Sequence, residues 1–210
     1  MKTSIAMATY NGAKYLQEQL DSFVNQSQLP DELVVTDDCS TDETLEIIES
    51  FALSAPFSVR FYRNERNLGF AQNFNRALGR CTGDLVFLSD QDDIWFENKI
   101  KKIYSTVQCF PSYLLFMNDA ELTDADGKPL GLTKLGQTQS LGLCESEFTT
   151  GCCMAIRRDF LKIALPIPSE FFVHDTWLNR LALTLGVKKV IKEVEQYYRR
   201  HGENTSDWLA

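Results

Sequence analysis

Four short runs of the chain are almost wholly apolar, and the first three are each followed by a stretch whose apolar residues recur every three or four positions. Ser4-Ile5-Ala6-Met7-Ala8 leads into Leu16, Leu20, Phe23 and Val24. Leu33-Val34-Val35-Thr36 leads into Leu45, Ile48 and Phe51-Ala52. Leu85-Val86-Phe87-Leu88 leads into Ile100, Ile103, Tyr104 and Val107, and Leu114-Leu115-Phe116-Met117 is a further run. The more polar Val59-Arg60-Phe61-Tyr62 precedes a helical stripe of Phe70, Phe74, Ala77 and Leu78. A strand with no polar face must be covered on both sides, and amphipathic helices supply the cover. The alternation therefore predicts an α/β fold: a Rossmann-like three-layer α/β/α arrangement around a mostly parallel sheet. Such sheets bind ligands at the carboxyl ends of their strands. Ser40-Thr41-Asp42-Glu43 reads as a capping box opening the second helix.

After about residue 120 the pattern loosens. Asp126-Gly127 marks a tight turn. Residues 131–147 are polar, contain glycine, offer few apolar anchors and read as a mobile segment. Thr149 to Arg157 reads as a strand and Asp159 to Leu165 as a short helix stopped by Pro166. Asp175-Thr176 starts a helix carrying Trp177, Leu178, Leu181 and Leu185. Val187 to Ile191 and Gln196 to Arg200 are two short strand candidates. At 210 residues the expectation is a single domain, with a ligand-binding half over 1–119 and a smaller half over 120–210.

A net charge of −8, from 21 basic and 29 acidic residues, argues against a general nucleic-acid binder. No apolar stretch approaches the ~20 residues that cross a bilayer, and MKTSIAMATYNG reads as a first strand, not a signal peptide. The six cysteines show no zinc-ligand spacing and read as reduced thiols. A cytoplasmic location is expected, with at most peripheral contact with the inner face of the membrane.

Two predicted strands end in acid, at Asp37-Asp38 and at Asp90-Gln91-Asp92-Asp93. Carboxylates a few ångströms apart repel by on the order of 4 kcal/mol at a surface-like dielectric, and a divalent cation reverses the sign. Mn²⁺ and Mg²⁺ take oxygen ligands, typically one or two carboxylates plus substrate phosphates. The cluster suits a metal carried in with a diphosphate. It also suits a solvated helix N-terminus. Its place at the end of a buried strand, with Ile94 and Trp95 to hold it, favours the first reading.

MATYNG at 7–12, VVTDDCSTDET at 34–44, NLGFAQNFNRALGRCTGDLVFLSDQDD at 67–93 and HDTW at 174–177 occur in that order. The ordered set resembles a family-2 glycosyltransferase of the GT-A fold over nearly the whole chain. DQDDIW, HDTWL and YRRHGEN resemble its bacterial rhamnosyltransferase-like branch. The resemblance implies an inverting enzyme moving a sugar, with rhamnose a candidate, from a UDP- or dTDP-sugar. The implied acceptor is a saccharide or lipid-linked saccharide of cell-surface polysaccharide synthesis. The implied cofactor is Mn²⁺ or Mg²⁺.

The family's roles carry over by position. Thr9, Tyr10 and Asn11 match the segment lining the nucleotide pocket. Asp38 matches the acid that accepts from the base N3–H; a carboxylate is acceptor-only, so it selects a base edge with a donor. Helix capping is the alternative for the Asp37-Asp38 pair. Asn67, Gly69 and Asn75 match the stretch near ribose and diphosphate, with turn formation the alternative for the asparagines. The family's arginine before the last of these is Phe74 here, which leaves that contact to Arg76 or another residue. Asp90 falls on the nucleotide side of the acidic motif and Asp92 on the metal side, with Asp93 in support behind them. Asp175 matches the base that takes the acceptor proton, with N-capping of its helix the alternative. His174 stands where the family commonly carries an acid. With Gly151, Thr149-Thr150 and Trp177 it belongs to the region around donor sugar and acceptor. Arg199 and Arg200 are candidates for the leaving diphosphate and His201 for the metal; a basic strand edge is their alternative.

Two rivals remain. A sugar nucleotidyltransferase shares the nucleotide-and-metal core but needs a glycine-rich phosphate loop, and MATYNGAKYL has one glycine. An inactive saccharide-binding partner subunit would not need the pair Asp92 and Asp175.

Overall fold

The computed structural model describes residues 1–202 and 204. Its strands are β1 Thr3–Thr9, β2 Glu32–Asp37, β3 Ser58–Arg63, β4 Leu85–Ser89, β5 Ile94–Trp95, β6 Leu115–Thr123, β7 Pro129–Thr133, β8 Met154–Arg157 and β9 Lys188–Arg199. The helices are α1 Ala13–Val24, α2 Thr44–Ser54, α3 Phe70–Arg80, α4 Lys99–Cys109, α5 Lys134–Ser140, α6 Arg158–Ala164 and α7 His174–Thr184. All strands join one sheet in the order β3-β2-β1-β4-β8-β6-β9-β5, with β7 on β6. From β3 to β4 every pairing is parallel. The rest is mixed: β8 runs antiparallel to β4 and β6, while β6 and β9 are parallel.

The continuous apolar runs divide between two cores. Successive side chains of a strand point to opposite faces. Ile5 and Met7 of β1, Leu33 and Val35 of β2, and Leu85 and Phe87 of β4 pack with α1, α2 and α4 through Leu16, Leu20, Phe23, Ile48, Ile100 and Val107. Ala6, Val34, Val86 and Leu88 point the other way, onto Phe74 and Leu78 of α3, Phe160 of α6 and Leu178 of α7. This is the expected three-layer arrangement. Val24, counted in the α1 stripe, is 38% exposed.

Elsewhere the structure corrects the sequence reading. Residues 131–147 form β7, α5 and a 3₁₀ turn at Glu145–Glu147. Leu135 is buried, its N–H donates to Asp119 Oδ1 at 2.8 Å, and the Thr133 hydroxyl caps α5 by accepting from Gly136 N–H. The anchor lies on β6, far away in sequence. The capping box does not form: Glu43 occupies the cap position with no side-chain bond, and Asp42 accepts from the Thr44 N–H and hydroxyl instead. Residues 151–153 are a 3₁₀ turn, so β8 begins only at Met154. The two predicted C-terminal strands are one, because a bulge between Asn118 and Asp119 lets polar Lys192 and Glu193 be carried within β9.

At the amino end of the parallel strands, Glu32 is buried and accepts from the Ser4 hydroxyl, the Thr82 N–H and hydroxyl, and Arg60 at 2.7 Å. Burial alone would raise its pKa, but these donors together hold it at about 2 against the usual 4.5. The resulting stabilisation is complete above pH ~4.5 and disappears as pH falls towards 2. Glu32→Gln should therefore cost roughly 1–2 kcal/mol at pH 7, the Arg60 partner being partly screened by solvent. Urea titrations at pH 7 and pH 3 check this: the deficit should shrink in acid, and an equal deficit at both would refute the assignment.

Candidate functional site

The register places the carboxyl ends of three strands together: Thr9 lies beside Asp37, and Met7 beside Ser89. Above them opens a cleft of about 800 Å³. Its walls are the loop into α3, the acidic loop after β4, α5, residues 147–151, and the start of α7. Thr9, Tyr10, Asp38, Asn67, Gly69, Asp90, Asp92, Gly151, His174 and Asp175 all line it. Asn11, Asn75, Trp177, Arg199, Arg200 and His201, also singled out from sequence, do not appear on its lining.

On the side of β1 and β2, Tyr10 is half exposed. Asn11 has a left-handed φ of 47°, its N–H donates to Ser40 Oγ, and its Oδ1 accepts from Thr41 N–H. It shapes the turn, not the cleft. Asp37 points away, accepting from the Ser40 N–H and from the Thr9 hydroxyl. Asp38 lines the cleft and also holds its wall: its carboxylate accepts from Leu68 N–H, Gly69 N–H and Asn64 Nδ2 at 2.8–2.9 Å, which fixes the loop into α3. Gly69, at φ 79°, makes that turn available.

The asparagines sort differently from the sequence expectation. Asn73 is buried under the cleft, with Nδ2 donating to the carbonyls of Thr9 and Thr36. Asn75 is turned away, its Oδ1 accepting from Ile167 N–H. Arg76 donates to Asn64 Oδ1 outside the lining. The helical phase decides this, since Asn73 shares the inward face of Phe74 and Ala77. A search for buried polar residues on that face would have found it.

The acidic loop has two sides. Asp90 and Asp92 face the cleft. Asp93 is buried behind, accepting from Gln196 Nε2 at 2.8 Å and from Arg199 N–H. Burial, then the charge of Asp92, pushes the Asp93 carboxyl up to about 7. Burial, followed by Asp93, Asp92 and Asp175, raises Asp90 well above the ordinary carboxyl range. Lys99, buried behind the loop, donates to the carbonyl of Cys152 and to Gln196 and lies 3.9 Å from the Trp95 ring centre.

Arg199 also serves this loop from behind. Its Nε donates to the Asp92 carbonyl at 3.1 Å, Nη1 to the Ala125 carbonyl, and the group pairs with Glu18. The strand's alternation sends Tyr198 to the cleft and Arg199 the other way. Arg199 is therefore turned from the cleft, against the expectation that it faces a diphosphate; Arg200 donates its N–H to the Thr123 carbonyl and is not on the lining. His201 Nε2 lies 2.8 Å from Asp92 Oδ2 and its ring 4.7 Å from Tyr15, with Asn204 alongside. Glu203 of the YRRHGEN stretch lies outside the described residues. Asp92 and His201, with donor atoms 2.8 Å apart, could hold a cation, and an oxygen donor beside an imidazole suits Mn²⁺ better than Mg²⁺; Asp90 faces the same cleft. Asp90, Asp93 and Cys152 also bring donor atoms within 4.8 Å of one another. That set contains a soft thiol, which fits those ions less well.

Across the cleft, Asp175 is in the first turn of α7 and does not cap it; Val173 is the N-cap. Among the described residues the Asp175 carboxylate accepts one long bond, from Thr176 at 3.4 Å, and it is half-buried. His174 is buried, stacked on Phe74 at 4.1 Å, with neither ring nitrogen hydrogen-bonded. Burial lowers its pKa, against Asp175. A Cβ on Gly151 would stand 2.6 Å from His174 Nε2, so glycine there lets the imidazole lie flat. Trp177 is structural, donating to the Ala164 carbonyl and packing on Phe171. Lys134, on the lining and 4.6 Å from the Tyr198 ring centre, was missed because its segment looked unanchored.

Comparison with known proteins follows from this geometry. The family model described as Glycosyl transferase family 2 matches residues 4–163. A Shigella flexneri protein named dTDP-rhamnosyl transferase RfbG is 36% identical, over 94% of this chain and 72% of that one. The crystal structure of S. aureus TarS 1–349 in complex with UDP superposes with a TM-score of 0.77 at 24% identity, over 95% of this chain and 61% of that one. The mannosyltransferase PcManGT from Pyrobaculum calidifontis, in complex with GDP-Man and Mn²⁺, gives 0.74 at 19% identity, over 94% and 56%. At those identities the likeness carries the GT-A fold. The chain thus spans somewhat over half to about three quarters of these proteins.

Proposed function

This chain belongs to glycosyl transferase family 2, and on that premise we propose that it is a metal-dependent, inverting transferase that moves a sugar from a UDP- or dTDP-sugar to a hydroxyl of a saccharide acceptor. The observation that carries the reading is the pairing of Asp92 and Asp175 across one cleft at the carboxyl ends of β1, β2 and β4. Rhamnose is the proposed sugar, supported by the likeness to a protein named as a dTDP-rhamnosyl transferase.

Asp175 takes the proton of the acceptor hydroxyl as its oxygen bonds to the anomeric carbon. The bond from that carbon to the diphosphate breaks on the opposite face, and the configuration inverts. Asp92 and His201 would hold Mn²⁺ or Mg²⁺, with Asp90 facing the same cleft, and the ion when bound would neutralise charge on the departing diphosphate. Tyr10, Asp38 and the loop it fixes receive the nucleoside. Gly151 and His174 border the sugar, and Lys134 with Tyr198 the acceptor side. The acceptor is proposed to be a surface-polysaccharide precursor, free or lipid-linked. No helix among the described residues is long and apolar enough to cross a membrane. The site of action is proposed to be the cytoplasm.

Mass-spectrometric and NMR screening of the protein with UDP- and dTDP-sugars, with and without Mn²⁺ or Mg²⁺, tests the proposal. Metal-dependent donor binding and slow donor hydrolysis are expected, with dTDP-rhamnose the best donor. Binding of free saccharides with no nucleotide-sugar binding under any metal would replace it with the saccharide-binding reading.

A further inference from the structure

Between the two cleft-facing acids stands Gln91, and its side chain points back across the sheet edge. Its Oε1 accepts from Tyr10 N–H at 2.9 Å, and its Nε2 donates to the Tyr10 carbonyl at 3.0 Å. The ladder between β1 and β4 stops at Met7 and Ser89. The amide of Gln91 thus continues by side chain what the backbones have given up. Gly12 leaves room for it: a Cβ there would stand 2.2 Å from Gln91 Oε1 and 2.3 Å from its Cδ. Contacts under 3 Å force one partner to move, and here the partner is the clamping amide itself.

Two loops are joined by this clamp. One carries Asp90 and Asp92. The other carries Tyr10, half exposed on the lining, and Asn11 in its left-handed turn. We propose that Gln91 is a positioning residue that couples the cation-binding loop to the nucleoside-binding loop, so that ordering one orders the other. This rests on the assignment of a metal and a nucleotide to the two loops. A residue that only filled space would make neither of two directed hydrogen bonds to one backbone unit. Coupling between two sites requires a physical element shared by both, and it is reciprocal.

The test compares wild type, Gln91→Ala, Gly12→Ala and the double variant, each shown by thermal melting to fold. UDP affinity is titrated with and without Mn²⁺, and amide hydrogen exchange of residues 10–12 is followed with Mn²⁺ alone. In wild type, Mn²⁺ alone should slow exchange at residues 10–12 and tighten UDP. In both single variants, exchange there should no longer respond to Mn²⁺, and the Mn²⁺ enhancement of UDP affinity should fall by about fivefold or more. The double variant should be no worse than either single, because both break the same contact. Full Mn²⁺ enhancement in Gln91→Ala would overturn the coupling while leaving the transferase reading intact. Exchange that ignores Mn²⁺ in wild type would overturn it too. If neither UDP nor dTDP binds while Mn²⁺ still slows exchange in wild type only, the clamp stands and the transferase reading falls.

Discussion

Asp175→Asn is expected to lower the rate of sugar transfer by about 10²-fold or more while donor affinity stays within about twofold. Amide and carboxylate have the same shape, so the cleft keeps its form. What is lost is the capacity to take a proton from the acceptor as the new bond forms. Because Asp175 does not cap α7, the substitution removes no capping bond. It removes a favourable charge from the first turn, worth ~0.3–1 kcal/mol. The measurement is steady-state transfer with donor affinity titrated in parallel: kcat should fall and the donor Kd should not. Turnover within a few-fold of wild type would remove Asp175 from the chemistry.

The parts of the site legible from sequence are those fixed by strand periodicity. An apolar run such as Leu85 to Leu88 must be covered twice, so the acid following it must emerge at the sheet's edge, and Asp38 and Asp90 do so together. What stayed hidden depends on partners distant in sequence. Leu135 is anchored by Asp119 on β6, so the α5 segment looked loose. Adjacent polar residues were also indistinguishable until the phase of their element was known. Asn73 and Asn75 fall on different faces of α3, and Tyr198 and Arg199 on opposite faces of β9. A motif names residue types; the backbone decides which of them meets the ligand.

That distinction gives Asp92→Ala its force. Asp90, Asp92 and Asp93 sit within four positions, yet Asp93 is committed to Gln196 and the Arg199 backbone, and Asp90 is held among like charges. Asp92 combines an opening to the cleft with a nitrogen ligand beside it, His201 at 2.8 Å. Without a cation the two pair with each other; with one, both can turn donor atoms to it. Asp92→Ala is therefore expected to abolish Mn²⁺-dependent tightening of UDP or dTDP, a loss of at least tenfold at saturating Mn²⁺, and to leave the weak metal-free affinity in place. Both partners are largely covered, with side chains 10% and 16% exposed, so a lowered melting temperature is expected beside the lost Mn²⁺ response. Calorimetric titration with and without Mn²⁺, beside a thermal melt, separates the two effects. An unchanged Mn²⁺ response in a folded Asp92→Ala protein would move the cation elsewhere, and the group of Asp90, Asp93 and Cys152 would become the place to look.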